Sequence, residues 1–187
     1  MASRYKTLFE EIENRRPSTI LEIGTWNAAN SLRFIKIAKK YHDDVFYYGF
    51  DMFEQMTSSI KTKEVHAKKN VSASTAIARL KKITNDFQLI IGNTNQTLQT
   101  FTPDRQLDFV FIDGGHSVET IKNDWSHISK WIDCETVVIF DDYYDTTQEG
   151  CKEIVDSLSK DLYAVSFPAV IEKHKDRSVT IAKVTKK

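Results

Sequence analysis

The sequence predicts a single α/β domain built on a doubly wound sheet of about seven strands, mostly parallel, with an antiparallel C-terminal hairpin. The first observation is a set of apolar runs that end abruptly in glycine or carboxylates: LEIGTWN (21–27), FVFIDGG (109–115) and VVIFDDYY (137–144). Buried parallel strands have this appearance where they emerge at the ligand-bearing edge of an α/β sheet. We therefore expect the functional residues to lie at that edge.

Two further observations support the same fold. Between the strand-like runs, apolar residues recur at helical spacing, most clearly at Val118, Ile121, Trp125, Ile128 and Ile132. The last two strand-like segments, 163–167 and 178–184, follow one another with no helix between them, as the strands of an antiparallel pair do.

The remaining elements follow in order. Residues 3–16 carry Tyr5, Leu8, Phe9 and Ile12 at helical spacing before Pro17, which predicts a helix packed on the sheet edge. We predict strands at 19–23, 45–50, 87–91, 107–112 and 136–140, and further helices at 31–40 and about 148–158.

Composition limits the partners. With 187 residues the chain is long enough for one domain, and its 26 basic and 26 acidic residues give no overall basic field to attract nucleic acid. We therefore expect a small-molecule partner, no nucleic acid and no membrane, since no apolar run is long enough to span a bilayer.

Cellular location is inferred from the cysteines and the N-terminus. Cys134 and Cys151 are not in a CxxC pair and lie beside predicted core elements, so we expect two buried free thiols in a reducing compartment. Residues 1–17 lack the apolar core of a secretory signal, so a cytoplasmic protein is expected.

The segment 52–70 departs from the alternation of strands and helices. It is polar, long and rich in cations (Lys61, Lys63, Lys68 and Lys69), which predicts a lid or binding loop that selects the acceptor. A solvated surface helix is the alternative. Ser72 or Ser74 is expected to cap the next helix, with Ile77 and Leu80 facing inward.

The turn after the first strand is a candidate cofactor site. Gly24 permits a tight turn and a close approach of the backbone to a ligand. The GxGxxG fingerprint is absent because Ala28 and Ala29 stand where further glycines would be, which argues against NAD and FAD and favours a cofactor without a pyrophosphate, such as S-adenosylmethionine.

Two more strand ends fit a nucleoside. Asp51 closes the second strand 27 positions after Gly24, where its carboxylate can accept hydrogen bonds from both ribose hydroxyls, although an Asp that caps the next helix is the alternative. Asn93 follows the third strand and offers an amide near the expected adenine pocket.

Three carboxylates, Asp113, Asp141 and Asp142, follow neighbouring strands. They would repel one another unless neutralised, and Mg²⁺ or another divalent cation with oxygen ligands is the usual solution. In the alternative, no metal is present, Asp113 bonds to the cofactor amine or to backbone, and Asp142 caps a helix.

His116 stands three residues after Asp113. An imidazole titrates near neutrality and can accept a hydroxyl proton as a general base, whereas a histidine that holds the Gly114-Gly115 turn by a hydrogen bond is the alternative. Tyr143 and Tyr144 either wall the acceptor pocket or serve ordinary packing.

Five motifs in register carry a resemblance: LEIGTWN, YYGFD, IIGNTNQTL, FVFIDGGHS and VVIFDDY. From about Thr19 to the C-terminus the chain resembles the class I S-adenosylmethionine-dependent methyltransferases, which have a Rossmann-like sheet closed by an antiparallel hairpin. More closely it resembles the methyltransferase 24 family, which is similar to macrolide-sugar and catechol-type O-methyltransferases. Ala28 departs from the pattern, since related turns often keep a second glycine there.

The resemblance implies S-adenosylmethionine as cofactor and assigns its contacts. The residues that would contact the methionine part of the cofactor are Glu22, Gly24, Thr25, Trp26 and Asn27, and Ser31 would help to position the cofactor's carboxylate. The residues that would contact the nucleoside are Asp51, Met52, Asn93 and Thr94. Asp113 would both bind the cofactor and take part in catalysis. In metal-dependent relatives the positions of Asp113, Asp141 and Asp142 hold the cation, and catechol-type relatives place a lysine at the position of His116, close to the acceptor hydroxyl.

The expected activity is therefore a metal-assisted transfer of a methyl group to a hydroxyl of a small molecule such as a sugar. A methyltransferase of nucleic acid or protein is disfavoured because no Asn-Pro-Pro-Tyr-type tetrapeptide follows the fourth strand. A non-catalytic cofactor-binding protein is the third possibility. The sequence leaves the oligomeric state open, and segment 52–70 and the N-terminal helix are the surfaces that we expect a homodimer to use.

Overall fold

A computed structural model describes residues 3–64, 69–145, 148–174 and 177–187. Four residues of the predicted lid, 65–68, lie outside the described residues, and they include His66 and Lys68.

The helices are α1 (Arg4–Arg15), α2 (Ala29–Ala38), α3 (Ser58–Lys63), α4 (Ala73–Leu80), α5 (Thr94–Thr100), α6 (Val118–Ile128) and α7 (Lys152–Asp156), with a 3₁₀ turn at Phe53–Gln55. The strands are β1 (Thr19–Ile23), β2 (Phe46–Asp51), β3 (Phe87–Ile91), β4 (Phe109–Ile112), β5 (Val137–Tyr144), β6 (Tyr163–Ser166), β7 (Glu172–His174) and β8 (Arg177–Lys186).

One mixed sheet organises these elements, in the order β3-β2-β1-β4-β5-β8-β6, with β7 also paired to β8. The first five strands of that order are parallel, and β8 runs antiparallel to β5, β6 and β7. The predicted doubly wound sheet and its antiparallel C-terminal hairpin are confirmed, with the short β7 as an addition. The order reverses between β1 and β4, so the crevice at their carboxyl ends is where such sheets bind ligands.

Strand alternation divides the core between the two faces of the sheet. Ile20, Phe109 and Ile139 point to the face that is covered by α1, α2 and α4. Leu21 and Val110 point to the opposite face, which is covered by α5, α6 and α7. Because successive strand residues face opposite ways, this parity also decides where the polar residues at each strand end point.

Local signals explain most helix boundaries. Ser3 caps α1, and Ser72 caps α4 by accepting a hydrogen bond from the Thr75 amide, as predicted for that serine. Leu80 is fully buried as expected, whereas Ile77 is only half-buried.

Three details differ from the predictions. Helix α7 is shorter than 148–158 and β5 continues through Tyr144. Cys151 is buried as predicted, but the predicted burial of Cys134 is wrong. Cys134 is exposed in a turn in which the backbone amides of Glu135 and Thr136 donate hydrogen bonds to the Asp133 carboxylate. Within the described ranges, no helix combines the length and the apolar character that crossing a membrane requires.

Candidate active site

A cavity of about 760 Å³, including its open mouth, lies at the carboxyl edge of the parallel strands. Its wall contains these predicted site residues: Gly24, Trp26, Asp51, Met52, Asn93, Thr94 and Asp113. The lid segment contributes Met56, Ile60 and Glu64 to the same wall. The structure therefore gathers the ends of β1, β2, β3 and β4 around one cavity.

Gly24 is required by the packing of the first turn. Its φ is +99°, and a Cβ atom there would lie 1.9 Å from the carbonyl oxygen of Asp113. The Asp113 amide in turn donates to the carbonyl of Ile23 at 2.8 Å. This close packing against the Asp113 backbone holds the β1 turn against the strand end that carries Asp113.

Non-glycine residues with positive φ cluster at the same edge. Trp26, Ala28, Phe53 and Asp142 have φ values of 44°, 60°, 48° and 56°. Ala28 thus adopts the left-handed conformation without the second glycine of related turns, and it is fully buried. Such conformations cost about 1 to 3 kcal/mol each and concentrate at functional sites.

Four predicted cofactor residues are not among the described residues that line the cavity: Glu22, Thr25, Asn27 and Ser31. Glu22 accepts hydrogen bonds from the hydroxyls of Ser31 and Tyr47, and both Glu22 and Ser31 are buried. The Asn27 side chain accepts from the Ala29 amide at 3.0 Å at the start of α2. These hydrogen bonds stabilise the turn between β1 and α2.

Asp51 organises the loop that follows β2. Its Oδ2 accepts from the Trp26 amide and its Oδ1 from the Phe53 amide, both at 2.7 Å. The hydrogen bond from the Phe53 amide is of the helix-capping type, which the sequence analysis gives as the alternative to ribose binding. Asp51 also lines the cavity, so one carboxylate joins two loops at the expected ribose position.

The lid segment crosses the cavity and is fastened at both sides. Glu64 accepts hydrogen bonds from the amide and hydroxyl of Ser117, both at 3.0 Å, and from the Thr120 hydroxyl at 2.8 Å. On the other side, the Trp26 indole donates to the carbonyl of Lys69 at 2.9 Å. Helix α3 itself has no buried residue, as the alternative of a solvated surface helix predicts, while Met56, Ile60 and Glu64 of the same segment line the cavity.

Three potential ligand atoms converge beside the cavity. Asp113, His116 and Asp142 each present an atom within 4.8 Å of the others, and His116 Nε2 lies 2.9 Å from Asp142 Oδ2. Although burial opposes it, the hydrogen bond from His116 lowers the pKa of Asp142, which therefore stays ionised. The imidazole thus bonds to a neighbouring strand, while the His116 carbonyl accepts from the Gly150 amide at 2.8 Å.

Asp141 does not join this group, which corrects the predicted set of Asp113, Asp141 and Asp142. Asp141 points toward α1, whereas Asp142 stands at an irregularity of β5 with a φ of 56°, from which it reaches His116 and also lies 3.7 Å from Arg4 Nη2. Asp141 accepts from Arg4 Nε at 2.7 Å and from the Tyr5 hydroxyl at 2.9 Å. His116 takes its place in the cluster.

Arg4 and Tyr5 were missed because their partners lie more than 130 residues away in the chain. Burial of Arg4 acts to lower its pKa, but the hydrogen bond and the negative charge of Asp141 outweigh burial and raise that pKa. Arg4 therefore remains a cation. Burial and then the negative charges of Asp113 and Asp141 raise the pKa of the Tyr5 hydroxyl. The first turn of α1 therefore supplies a cation and a hydroxyl to the carboxylates at the end of β5.

Comparison with known proteins gives the family. Residues 21–143, more than half of the chain, match the family model described as "Methyltransferase domain". The chain belongs to the methyltransferase 24 family. No curated protein sequence matches it.

Solved structures share the fold of this methyltransferase at low sequence identity. The O-methyltransferase TomG from Streptomyces achromogenes, which is involved in tomaymycin synthesis and was solved with S-adenosylmethionine, has 16% identity and a TM-score of 0.69 over 97% of this chain and 78% of TomG. An O-methyltransferase from Bacillus cereus has 15% identity and a TM-score of 0.66, covering 97% and 80% of the two chains. An rRNA methylase from Streptococcus thermophilus has 10% identity and a TM-score of 0.71, covering 100% and 98%.

The Asp113, His116 and Asp142 cluster fits a divalent cation in its donor chemistry. Two carboxylates offer the hard oxygen ligands that Mg²⁺ and Mn²⁺ take, and an added imidazole suits Mn²⁺, Fe²⁺ or Zn²⁺ better than Mg²⁺. Asp142 is buried and Asp113 and His116 are half-buried, which leaves the cluster reachable from the cavity side.

The two tyrosines after the acidic pair have different environments. Tyr144 is buried and its hydroxyl bonds to Asp142, so it supports the cluster. Tyr143 stacks on Phe167 with ring centroids 4.6 Å apart and bonds to Asp156. Only Tyr144 therefore contacts the site carboxylates among the described contacts of this pair.

Asp124 on α6 is a second residue that sequence reasoning missed. It is fully buried, four positions after the cavity residue Thr120. A signal was present, since Asp124 lies at helical spacing from the buried Ile121 and Ile128 and so on the apolar face of α6.

Proposed function

We propose that this methyltransferase uses S-adenosylmethionine to methylate a hydroxyl group of a small molecule such as a sugar, with a divalent cation at the site. The observation that carries the proposal is the His116 and Asp142 pair, 2.9 Å apart, in a small cavity of about 200 Å³ that shares Asp113 with the larger cavity. A base held by a carboxylate beside a cofactor-sized cavity suits the removal of a hydroxyl proton.

The order of strand ends orients the cofactor along the cavity. The Gly24 turn would take the methionine part, Asp51 the ribose hydroxyls, and Asn93 with Thr94 the base, because β1, β2 and β3 are neighbours in that order. The lid, through Met56 and Ile60, would cover the cofactor and exclude water.

The chemical requirement is alignment and removal of one proton. The acceptor oxygen attacks the methyl carbon, an O–C bond forms as the S–C bond breaks, and S-adenosylhomocysteine leaves. Because His116 Nε2 donates to Asp142, its Nδ1 is the atom that takes the hydroxyl proton. The ionised Asp142 then stabilises the imidazolium.

Asp113 and Asp142 are the residues that we assign to the cation. When bound, a divalent ion lowers the pKa of the acceptor hydroxyl and orients it. Asp141 is engaged with Arg4 and Tyr5, so we assign it to support of the wall. His116 stays available as the base in this assignment.

Methyl transfer by wild-type protein, His116→Gln and the control His127→Gln tests the base. We expect the loss of His116 to lower kcat by about 10²- to 10⁴-fold, the usual worth of a positioned base, with little change in the control. Unchanged turnover of His116→Gln contradicts the role of the base. Binding of Mn²⁺ to this variant, followed by electron paramagnetic resonance, should persist; its loss would make His116 a ligand instead.

The acceptor class is tested by a panel of hydroxylated small molecules beside an rRNA fragment. The balanced charge of 26 basic and 26 acidic residues favours the small molecules, since RNA binding draws on basic fields. Methylation of the RNA alone would reassign the acceptor while leaving the cofactor site in place.

A further inference from the structure

The N-terminal cap of helix α6 is incomplete within its own sequence. Ser117 is the N-cap residue, and its hydroxyl accepts a hydrogen bond from the Thr120 amide at 3.3 Å. In a capping box, a Glu or Gln at the position of Thr120 would in return bind the backbone amide of the N-cap residue. Thr120 has no carboxylate or side-chain amide for this purpose, so the Ser117 amide needs an acceptor from another part of the chain.

Glu64 of the lid segment supplies that acceptor from 53 positions earlier in the chain. Its Oε2 accepts from the Ser117 amide at 3.0 Å, and its Oε1 accepts from the Ser117 hydroxyl at 3.0 Å and the Thr120 hydroxyl at 2.8 Å. Glu64 is buried, and a carboxylate at a helix N-terminus is stabilised by the helix dipole as well as by these bonds. Removal of Glu64 therefore leaves the first turn of α6 without its charged cap.

The same carboxylate packs against the turn that carries His116. A Cβ atom on Gly115 would overlap Oε2 of Glu64, so the lack of a side chain at Gly115 lets the carboxylate reach Ser117. Gly115 and Ser117 are the two neighbours of His116 in the chain. The backbone on both sides of His116 is thus held by one residue of the lid segment.

Glu64 also belongs to the wall of the large cavity, together with Met56 and Ile60 of the lid segment. One carboxylate therefore joins the wall of the cavity proposed for the cofactor to the backbone beside His116. We propose that Glu64 is a positioning residue for His116, which it holds in place through the two residues that flank it. The inference rests on the proposed function, in which His116 takes the hydroxyl proton, and it adds a residue that acts on the reaction through that base.

The chemical reactivity of His116 tests this role without an acceptor. Diethyl pyrocarbonate modifies imidazole rings, and mass spectrometry of the complex with S-adenosylhomocysteine gives the rate at His116 relative to the rate at His127 in the last turn of α6. We expect this ratio to rise about fivefold in Glu64→Ala, because a displaced imidazole loses its hydrogen bond to Asp142, and one ordinary hydrogen bond is worth about that factor. An unchanged ratio overturns the proposal.

Glu54 provides the matched control on the same segment. Its carboxylate accepts from the Ala73 amide at 2.8 Å, at the start of α4 instead of α6. Glu54→Ala therefore makes the same chemical change at another helix N-terminus and should leave the reactivity of His116 at the wild-type value. A rise as large as that in Glu64→Ala overturns the proposal.

Two further variants keep the test open to failure. Glu64→Gln retains a carbonyl oxygen for the Ser117 amide and should restore most of the protection of His116. Should Glu64→Ala fail to fold, Gly115→Ala perturbs the same bonds, because its Cβ pushes the Glu64 carboxylate away from Ser117. Gly115→Ala should therefore raise the ratio as well, and wild-type reactivity in that variant overturns the proposal.

Turnover with a hydroxylated small molecule that the wild type methylates shows whether Glu64 acts through His116. Because a misplacement of about 1 Å can cost about 10²-fold in rate, Glu64→Ala should lower kcat by about 10- to 100-fold at saturating S-adenosylmethionine. Adding Glu64→Ala to His116→Gln should lower kcat no further, since an absent base cannot be misplaced. Losses that multiply in the double variant overturn the positioning role.

Failure of this inference is distinguishable from failure of the proposed function. Binding of S-adenosylhomocysteine with unchanged reactivity of His116 in Glu64→Ala overturns the role of Glu64 and leaves the cofactor site intact. No binding of S-adenosylhomocysteine to the wild type overturns the proposed function and this inference with it.

Discussion

The free energy of unfolding of the wild type should fall as the pH rises toward 8.5, and replacement of Asp124 by asparagine should remove this fall. The carboxyl is fully buried, and burial raises its pKa from 3.8 to about 7 although Thr94 and Asn123 act in the other direction. A carboxyl whose pKa is higher in the folded state contributes stability that is present below the unfolded pKa and is lost as the pH rises through the folded pKa.

The size of the effect follows from the two pKa values. At about 1.4 kcal/mol for each tenfold change in proton affinity, the full difference between them is at most about 4 kcal/mol. Between pH 5 and pH 8.5 the group passes from protonated to ionised in the folded state, while it is ionised in the unfolded state throughout. We therefore expect Asp124→Asn to gain about 2 to 3 kcal/mol relative to wild type over that interval.

Urea unfolding followed by circular dichroism at pH 5 and pH 8.5 measures this quantity. Any packing cost of the amide is the same at both pH values, so the change in the difference between the two proteins reports the ionisation alone. Glu119→Gln, on the exposed side of α6, should show no such gain. Parallel pH dependence in wild type and Asp124→Asn would refute a buried carboxyl with a raised pKa.

Three further changes test the site wall. Arg4→Met should lower the free energy of unfolding by about 3 to 5 kcal/mol, because it leaves the buried Asp141 without its cation. Adding Asp141→Asn to Arg4→Met should recover part of that loss. If thermal unfolding of the double variant shows no recovery, the pairing of Arg4 with Asp141 is contradicted. Gly24→Ala should unfold at lower temperature and bind S-adenosylhomocysteine poorly, since its Cβ would lie 1.9 Å from a carbonyl oxygen, and wild-type behaviour would contradict this packing. Ala28→Gly should stay within about 1 kcal/mol of wild type because relief of its left-handed φ offsets the lost methyl group; a loss above 3 kcal/mol would show that the methyl dominates.

Strand ends were predictable from sequence because their signal is local. The apolar run at Phe109–Ile112 followed by Asp113 marks both a buried strand and its exit, and helical spacing located α6. Alternation does not decide the positions of Asp141 and Asp142, because β5 is irregular between Phe140 and Tyr143 and Asp142 has a φ of 56°. Both carboxylates lie near Arg4, at 2.7 Å and 3.7 Å, but only Asp142 joins Asp113 and His116, and the sequence pattern does not reveal that division.

Other contacts had no local signal. Arg4 meets Asp141 only when α1 packs on the sheet, and Glu64 reaches α6 only when the lid crosses the cavity. Neither long-range pairing leaves a pattern within a window of sequence. Asp124 is different, since its position on the apolar face of α6 was visible and indicated a buried polar group.

Calorimetric titration of the wild-type chain and of Asp51→Asn with S-adenosylhomocysteine tests the cofactor site most directly. We expect one molecule bound per wild-type chain, and affinity at least about tenfold lower for Asp51→Asn, because charge-assisted hydrogen bonds to the ribose hydroxyls would be lost. Binding that is undetectable in wild type, or equally tight in both proteins, would contradict a cofactor cradle built from the Gly24 turn, Asp51 and the end of β3.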